Sequence, residues 1–353
     1  MAVERAWPEW LAHRRTRRVA IAHTFITSTS RPDDQDTLEE IETVAAALGE
    51  LGFDPEPVPF TLDLHAFIAA LRDLEPAFVF NLVEGVDGTG RLIHMAPALC
   101  EHLGLACTGA PASAILVTTS KLETKRQLKV AGLPTAPWAT PARLAAGRVG
   151  FPGPYILKPV WEDASVGIDH DGVCDSRARL VELWRERTRG SGGEFFAERY
   201  IDGREINQAL LAGPRGPQAL PTAEIDFLNW EEGAPRIVGW RAKWDEDAPE
   251  FERTRRRFLR GGSDVGLRRR VKALARRCWH LFGLHGYARV DLRVDRSGRP
   301  YILEVNANPC VSPDAGFLAA TRELGMQPND VVARIICDCP PPAAPLAGSQ
   351  YHH

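Results

Sequence analysis

The chain has 353 residues, 44% hydrophobic and 25% charged, with a formal net charge of −3. That balance describes a soluble globular protein of two or three domains and carries no global nucleic-acid or membrane signal. No apolar run nears the roughly 20 residues that span a bilayer, and residues 1–18 are too polar for a secretory signal. The seven cysteines lack C-x-x-C spacing, which fits reduced thiols in a cytoplasm better than a disulfide framework or a zinc site.

In chain order, residues 17–23 (RRVAIAH) read as a buried first strand and 27–36 as a Ser/Thr/Asp-rich loop. An amphipathic helix follows over 37–51, with Leu38, Ile41, Val44, Ala45 and Leu48 at helical spacing and Gly52 as its stop. Residues 61–72 predict another helix and 77–82 (AFVFNL) the second strand, a β-α-β alternation that implies a parallel sheet. The glycine-rich loop 84–90 (EGVDGTG) has neither Rossmann nor Walker A spacing and reads by itself as a tight turn; 92–103 is a helix. Residues 139–150 read as a connector, 155–160 (YILKPV) as a strand carrying Lys158, and 161–168 (WEDASVGI) as a loop leading into another strand. Residues 195–210 read as strand, turn, strand, with Glu198 and Glu205 on either side of the turn. A strand follows over 221–227, then a polar, basic stretch over 239–262, a helix over 265–282 with basic runs on its outer side, and a last helical turn or two over 330–336.

Residues 287–310, YARVDLRVDRSGRPYILEVNANPC, organise the rest. Residues 287–294 alternate polar and apolar, 295–298 (DRSG) is turn chemistry, and 300–306 is a second strand. A four-residue loop pairs Val294 with Arg299, Asp291 with Ile302 and Arg289 with Glu304. Arg289, Asp291, Glu304 and Asn306 then share one face, and Ala288, Val290, Leu292, Leu303 and Val305 share the core face. Two carboxylates and an amide oxygen are hard ligands suited to Mg²⁺, with Arg289 left to stabilise an anion; the competing reading is a surface salt bridge between Arg289 and Glu304.

Arg289-x-Asp291, then about a dozen residues, then Glu304-x-Asn306-x-x-Pro309 resembles the metal and oxyanion site of ATP-grasp ligases, most of all D-alanine–D-alanine ligase and its relatives. The resemblance covers roughly residues 77–316, including 80–90 (FNLVEGVDGTG) and 104–138 (GLACTGAPASAILVTTSKLETKRQLKVAGLPTAPW). It implies an α/β fold, α+β in the C-terminal half, with ATP held between two β-sheets. Its three subdomains would be an N-terminal α/β substrate side (1–112), a central ATP-grasp flap (113–196) and a C-terminal ATP-grasp and metal domain (197–340), ahead of a disordered tail (341–353).

The resemblance also implies roles. Lys121, or Lys125 one turn on, supplies a phosphate lysine, and Lys158 meets the α- and β-phosphates. The 161–168 loop, Ser165 included, cradles the phosphate chain, although Trp161, Glu162 and Asp163 make it bulkier and more acidic than usual. Glu198 takes the adenine amino group, Tyr200 and Ile201 offer backbone to the base, and Glu205 binds ribose. Lys243 closes over the site, followed by Trp244 where the ligases have tyrosine. Asp291, Glu304 and Asn306 hold two Mg²⁺ ions, for which Mn²⁺ substitutes. Arg289 and the backbone N–H of Cys310 stabilise the oxyanion, with Cys310 standing where the family has glycine and its side chain turned away. Glu84 borders the substrate site, Asp314 lies in the second-substrate segment, and Asp33, Asp34 or Asp36 is left to grip the first amino group. Glu224 is expected just behind the site. One of the basic residues Arg241, Arg253, Arg255, Arg256, Arg257 or Arg260 is a candidate for a phosphate or substrate carboxylate, against a solvated face for them all.

The implied protein is a cytoplasmic, ADP-forming ligase that joins an amino acid or small carboxylate to an amine through an acylphosphate. Asp314, negative where a free carboxylate has to dock, favours a substrate other than D-alanine. A genuine D-alanine–D-alanine ligase, a thiol or hydroxyl acceptor, and a non-catalytic ATP-binding module remain alternatives. Its partners are small molecules, with no nucleic acid or membrane, and family analogy suggests a homodimer.

Overall fold

The computed structural model describes residues 7–27, 32–162, 170–231, 233–245 and 247–342. These form three sheets. The first is parallel, in the order β2-β1-β3, from β1 (Arg18–Thr24), β2 (Asp54–Phe60) and β3 (Val79–Leu82). β2, DPEPVPF, was not legible as a strand because every second residue from Pro55 to Pro59 lacks a backbone donor. It survives as an edge strand paired only to β1, the one place a sheet tolerates such a run. The Pro32–Glu50 helix begins five residues before the expected position 37. Proline followed by acidic residues is the chemistry of a helix N-terminus as much as of a loop. The next helix starts at Leu64 rather than 61, where Asp63 accepts the Ala66 N–H at 3.0 Å.

The second sheet runs β4-β7-β5-β6, from β4 (Trp138–Ala139), β5 (Tyr155–Pro159), β6 (Val173–Cys174) and β7 (Phe195–Arg199). The expected connector over 139–150 contains a short helix, Pro141–Ala145, capped by Thr140 and started by proline. The Arg177–Ser191 helix, too polar to show a clear apolar stripe, covers this sheet through Leu180 and Leu183. The third sheet runs β11-β10-β8-β12-β13, with β9 beside β8. Its strands are β8 (Gly203–Leu211), β9 (Gln218–Ala219), β10 (Ala223–Phe227), β11 (Thr254–Phe258), β12 (Tyr287–Asp295) and β13 (Pro300–Asn306). The strand–turn–strand of residues 195–210 is therefore not a hairpin: β7 and β8 belong to different sheets, and the turn between them passes the chain across.

The two faces of the third sheet differ. Ile206, Leu210, Ala288, Val290, Leu292 and Val305 pack against Val271, Ala275, Cys278 and Trp279 of the Val265–Phe282 helix. On the other face Tyr287 is buried against Phe317 and Ile335, from the Gly316–Arg322 and Pro328–Cys337 helices. Beyond Tyr287 on that same face come Arg289, Asp291 and Arg293, where the covering helices end.

The β12–β13 register differs from the expected one in two steps. The loop is three residues, because the Asp295 N–H donates to the Arg299 carbonyl at 3.0 Å and Val294 pairs with Pro300. A bulge then skips Leu303, so Leu292 faces Ile302 while Asp291 faces Glu304 and Arg289 faces Asn306. Ile302 takes the core position, and half-buried Leu303 lines a cleft instead. The four polar residues still share a face because the extra residue restores the alternation beyond it. Among the described residues no helix is long and apolar enough to cross a membrane.

Candidate active site

The second sheet closes over the third, and the cleft between them is lined by Lys158, Glu198, Tyr200, Ile201, Glu205, Lys243, Arg293, Asp291 and Glu304. Its volume is about 70 Å³, well below the roughly 300 Å³ at which small-ligand pockets begin. A ligand of nucleotide size therefore requires the sheets to part.

Glu198 on β7 ties the second sheet to the Lys121–Val130 helix. It is 1% exposed, accepts from Lys158 Nζ at 2.9 Å and pairs with Lys125. Burial works against its charge, but the two lysines prevail and keep its carboxyl below the ordinary range. Burial pushes the Lys125 amine down, and the ammonium also donates to Thr135 Oγ1 at 2.8 Å. Lys121 and Lys125, one turn apart on the Lys121–Val130 helix, go to different partners. Lys121 Nζ donates to the Glu162 carbonyl at 2.7 Å and lies 3.1 Å from Glu304 Oε2. Ser120 starts this helix by accepting the Glu123 N–H.

On β12, Arg289 does not pair with Glu304. Its Nε and Nη2 grip both oxygens of Asp291 at 2.8 and 2.9 Å, a bidentate fork. Asn207 on β8 adds a third donor to Asp291 at 2.8 Å. Glu304 is free to meet Lys121. Although burial opposes it, Lys121, Arg289, Lys243 and Lys158 hold its carboxyl far below the ordinary range. Burial and Arg289 push the Lys243 amine down, against Glu304, Asp291 and Glu205. Asn306 accepts the Asn308 N–H at 2.9 Å, and Asn308 in turn accepts from the Tyr287 hydroxyl at 2.9 Å, which pins the turn leading to Cys310. Among the described residues no three His, Cys, Asp or Glu side chains form a metal-ligand group; the set at this point is two carboxylates and an amide oxygen.

Arg293 of the cleft, and Asn207 beside Asp291, were not singled out in the sequence. Arg293 is buried and donates to the Ile201 carbonyl (3.0 Å), Glu205 (3.1 Å), the Arg236 carbonyl (2.7 Å) and the Tyr200 hydroxyl (3.3 Å). The alternation that picks out Arg289 and Asp291 continues to it. Asn207 follows Glu205 by the same rule. Glu205 is half-buried, and burial raises its carboxyl despite Arg293.

The remaining candidates separate. Ser165 lies outside the described residues, as do the side chains of Asp33 and Asp34. Glu224 is not behind the cleft: it pairs with Ile206, on the far face of the sheet, and binds Arg204 and Arg257. Arg255 and Arg257 share that far face with Asp226 and Glu224. Arg241 pairs with Asp245 and Arg260 with Glu323. Arg256, opposite Ile225, is on the cleft side. It donates to the Asp314 carbonyl at 3.1 Å, and its guanidinium lies over Gly316, where a Cβ would sit 3.6–3.8 Å away. Burial and the like charges of Arg289 and Arg322 lower its pKa. Asp314 itself is exposed.

Cys310 turns toward the Pro32–Glu50 helix. Its thiol donates to Asp36 at 2.9 Å, and Ser312 Oγ donates to the same oxygen at 3.2 Å. Burial, with Glu40, Glu84 and Asp36 nearby, pushes the thiol well above its ordinary value, so it stays neutral. Glu40, also unanticipated, accepts the Val311 N–H at 2.5 Å. Burial, with Asp36 adding to it, raises its carboxyl from 4.5 to about 7. Between those values the folded protein binds more protons than the unfolded chain, so stability falls as pH rises, by about 3 kcal/mol in all. Thermal unfolding of Glu40→Gln, which keeps the acceptor, is expected to lose this slope between pH 5 and 8; an unchanged slope assigns it to another group.

The closing of one sheet over another defines the ATP-grasp class, and the solved structures agree. A D-alanine–D-alanine ligase from Bacillus anthracis, solved with ATP, superposes with a TM-score of 0.68 over 92% of this chain and 97% of its own, at 20% identity. The family described as "D-ala D-ala ligase C-terminus" matches residues 128–337. A D-alanine–D-alanine ligase of Methylococcus capsulatus is 31% identical over 310 residues, 87% of this chain and 92% of that protein. An uncharacterized protein of Sinorhizobium fredii is 31% identical over 84% of this chain and 85% of its own length. The chain belongs to the D-alanine–D-alanine ligase family.

Proposed function

We propose that the protein is an ATP-dependent ligase joining the carboxylate of an amino acid or small acid to an amine, with release of ADP and phosphate. The observation that carries this reading is the convergence of Lys121, Lys158, Lys243 and Arg289 on Glu304, with Arg289 forked onto neighbouring Asp291, between two facing sheets. A carboxylate oxygen attacks the γ-phosphorus and ADP leaves. The amine nitrogen then attacks the acylphosphate carbon, and phosphate leaves with that oxygen as the amine loses a proton. The protein's part is positioning and charge. Lys121, Lys158 and Lys243 face the triphosphate. Glu198 and the backbone at Tyr200 and Ile201 face the base, and Glu205, steadied by Arg293, faces the ribose. Arg289, with the Cys310 N–H, serves the developing oxyanion.

The donor set fits Mg²⁺, since Asp291, Glu304 and Asn306 offer only hard oxygens and Glu304 remains ionised. Mg²⁺ bound there, as two ions and replaceable by Mn²⁺, supplies charge neutralisation for the phosphates. Arg289, already gripping Asp291, holds that ligand in place.

On the substrate side, Asp36 and Glu84 place acidic charge beside the Cys310 turn, which suits an ammonium group. Arg256, on the cleft side at Gly316, suits the free carboxylate of the acceptor, a task the exposed Asp314 would oppose. Arg256→Ala is expected to raise KM for the acceptor about tenfold, the scale of one charge-assisted contact, with KM for ATP unchanged; an unchanged acceptor KM removes Arg256 from the site. The acceptor is read as an amino acid other than D-alanine. The relatives' own names favour a second reading, synthesis of D-alanyl-D-alanine itself. ADP release with ATP and Mg²⁺ against D- and L-amino acids, singly and in pairs, separates them. ADP with one particular pair names the substrates, ADP with D-alanine alone selects the second reading, and ATP binding without ADP formation in any combination contradicts ligase activity.

A further inference from the structure

Away from the cleft, a groove of about 1000 Å³ is lined by β4, the start of β13, the Lys121–Val130 helix and the Val265–Phe282 helix. Six cationic side chains line it, Arg126, Lys129, Arg143, Arg270, Arg277 and Arg299, and no acidic residue does. Several arginines elsewhere in this net-negative chain are neutralised, Arg179 by Glu182, Arg187 by Asp171, Arg204 by Glu224 and Asp264, and Arg296 by Asp202, while others such as Arg268 and Arg334 rest on backbone carbonyls. In the groove only Arg126 has a carboxylate, Glu123 at 3.0 Å. Among the described residues the other five have none. Arg270 and Arg277 donate to the carbonyls of Gly298 and Ala131, Lys129 and Arg299 lie over the rings of Trp138 and Tyr301, and Arg143 packs on Gly150.

Backbone carbonyls, ring faces and the Gly150 backbone position these four guanidiniums and one ammonium without cancelling their charge. Five such groups around one concavity repel one another, and a bound anion removes that cost. Guanidinium forks match phosphate oxygens two at a time. The volume is that of a small-molecule site. We propose that this groove binds a small soluble polyanion carrying two or more phosphate groups, separately from the cleft between the sheets. Its wall is shared with that cleft: Trp138 pairs with Glu198 across β4 and β7, and the Lys121–Val130 helix presents Lys129 to the groove while its Lys121 and Lys125 pair with Glu304 and Glu198 of the cleft.

The test is calorimetric titration of the full-length protein with inorganic tripolyphosphate. Arg143 and Arg277 are exposed, so Arg143→Ala/Arg277→Ala is expected to fold and to weaken binding at least tenfold. Lys158→Met, which leaves Glu198 its Lys125 partner, is expected to leave it unchanged, as is the charge-matched control Arg72→Ala/Arg185→Ala. Binding lost with Lys158→Met but kept in the groove variant assigns the anion to the cleft and overturns the proposal. So does no binding, an equal loss in the charge-matched control, equal affinity for citrate, or displacement by a 20-nucleotide RNA at lower concentration than tripolyphosphate itself.

Discussion

Glu198→Ala lowers the stability of the folded protein by about 3–5 kcal/mol, the usual cost of removing one partner from a buried ion pair. The carboxylate is 1% exposed and lies between Lys125, fully buried, and Lys158, 8% exposed. Without it two ammonium groups face each other in a site with little water, and their mutual repulsion adds to the desolvation each has already suffered. Thr135 remains as a hydrogen-bond partner for Lys125 but carries no charge. Glu198→Gln recovers the shape and one acceptor and is expected to fall between wild type and alanine. Urea unfolding monitored by tryptophan fluorescence measures both; a loss under 1 kcal/mol for Glu198→Ala contradicts the triad's structural weight.

Glu304→Ala reduces ADP release by about 10³-fold, on the scale set by removing a group that acts on charge in the transition state. Glu304 is the carboxylate on which the cationic side of the cleft converges, 3.1 Å from Lys121 and held ionised by Lys121, Arg289, Lys243 and Lys158. The loss is expected in kcat. Glu304→Gln separates charge from size and is expected to fail nearly as badly, because an amide offers a single oxygen and no charge to a cation. Asp291→Asn is expected to follow the same pattern and, in addition, to loosen the Arg289 fork. Steady-state kinetics with the substrates identified by the ADP-release screen measures all three, and unimpaired turnover in Glu304→Ala rules out its proposed role.

Much of this was legible because strand alternation is a strict rule. The face holding Arg289, Asp291, Glu304 and Asn306 follows from a period of two on each strand, and it came out correctly even though the register was wrong. Two slips, a three-residue loop and a bulge at Leu303, were invisible because neither changes residue composition. The bulge did move Leu303 out of the core. β2 was missed because its prolines oppose a strand wherever it is not at an edge, and only tertiary position shows that it is at one. The opposition of β7 and β8 depends on the fold, so Glu198 and Glu205 read as neighbours across a turn when they belong to facing sheets. Glu40 and Asp36 meet Cys310 from about 270 positions away in sequence, a contact that no local pattern encodes. Arg256 stood among six basic residues with equal claims, and only its pairing with Ile225 turned it toward the cleft.

The central claim is that a carboxylate oxygen is phosphorylated by ATP before the amine attacks. Single turnover with the acid substrate labelled with ¹⁸O in its carboxylate tests it directly, by mass spectrometry of the released phosphate. Transfer of one ¹⁸O atom into inorganic phosphate, with unlabelled ADP, is the predicted result. Label found in AMP, or amide product formed with no label in any phosphorus species, contradicts the account.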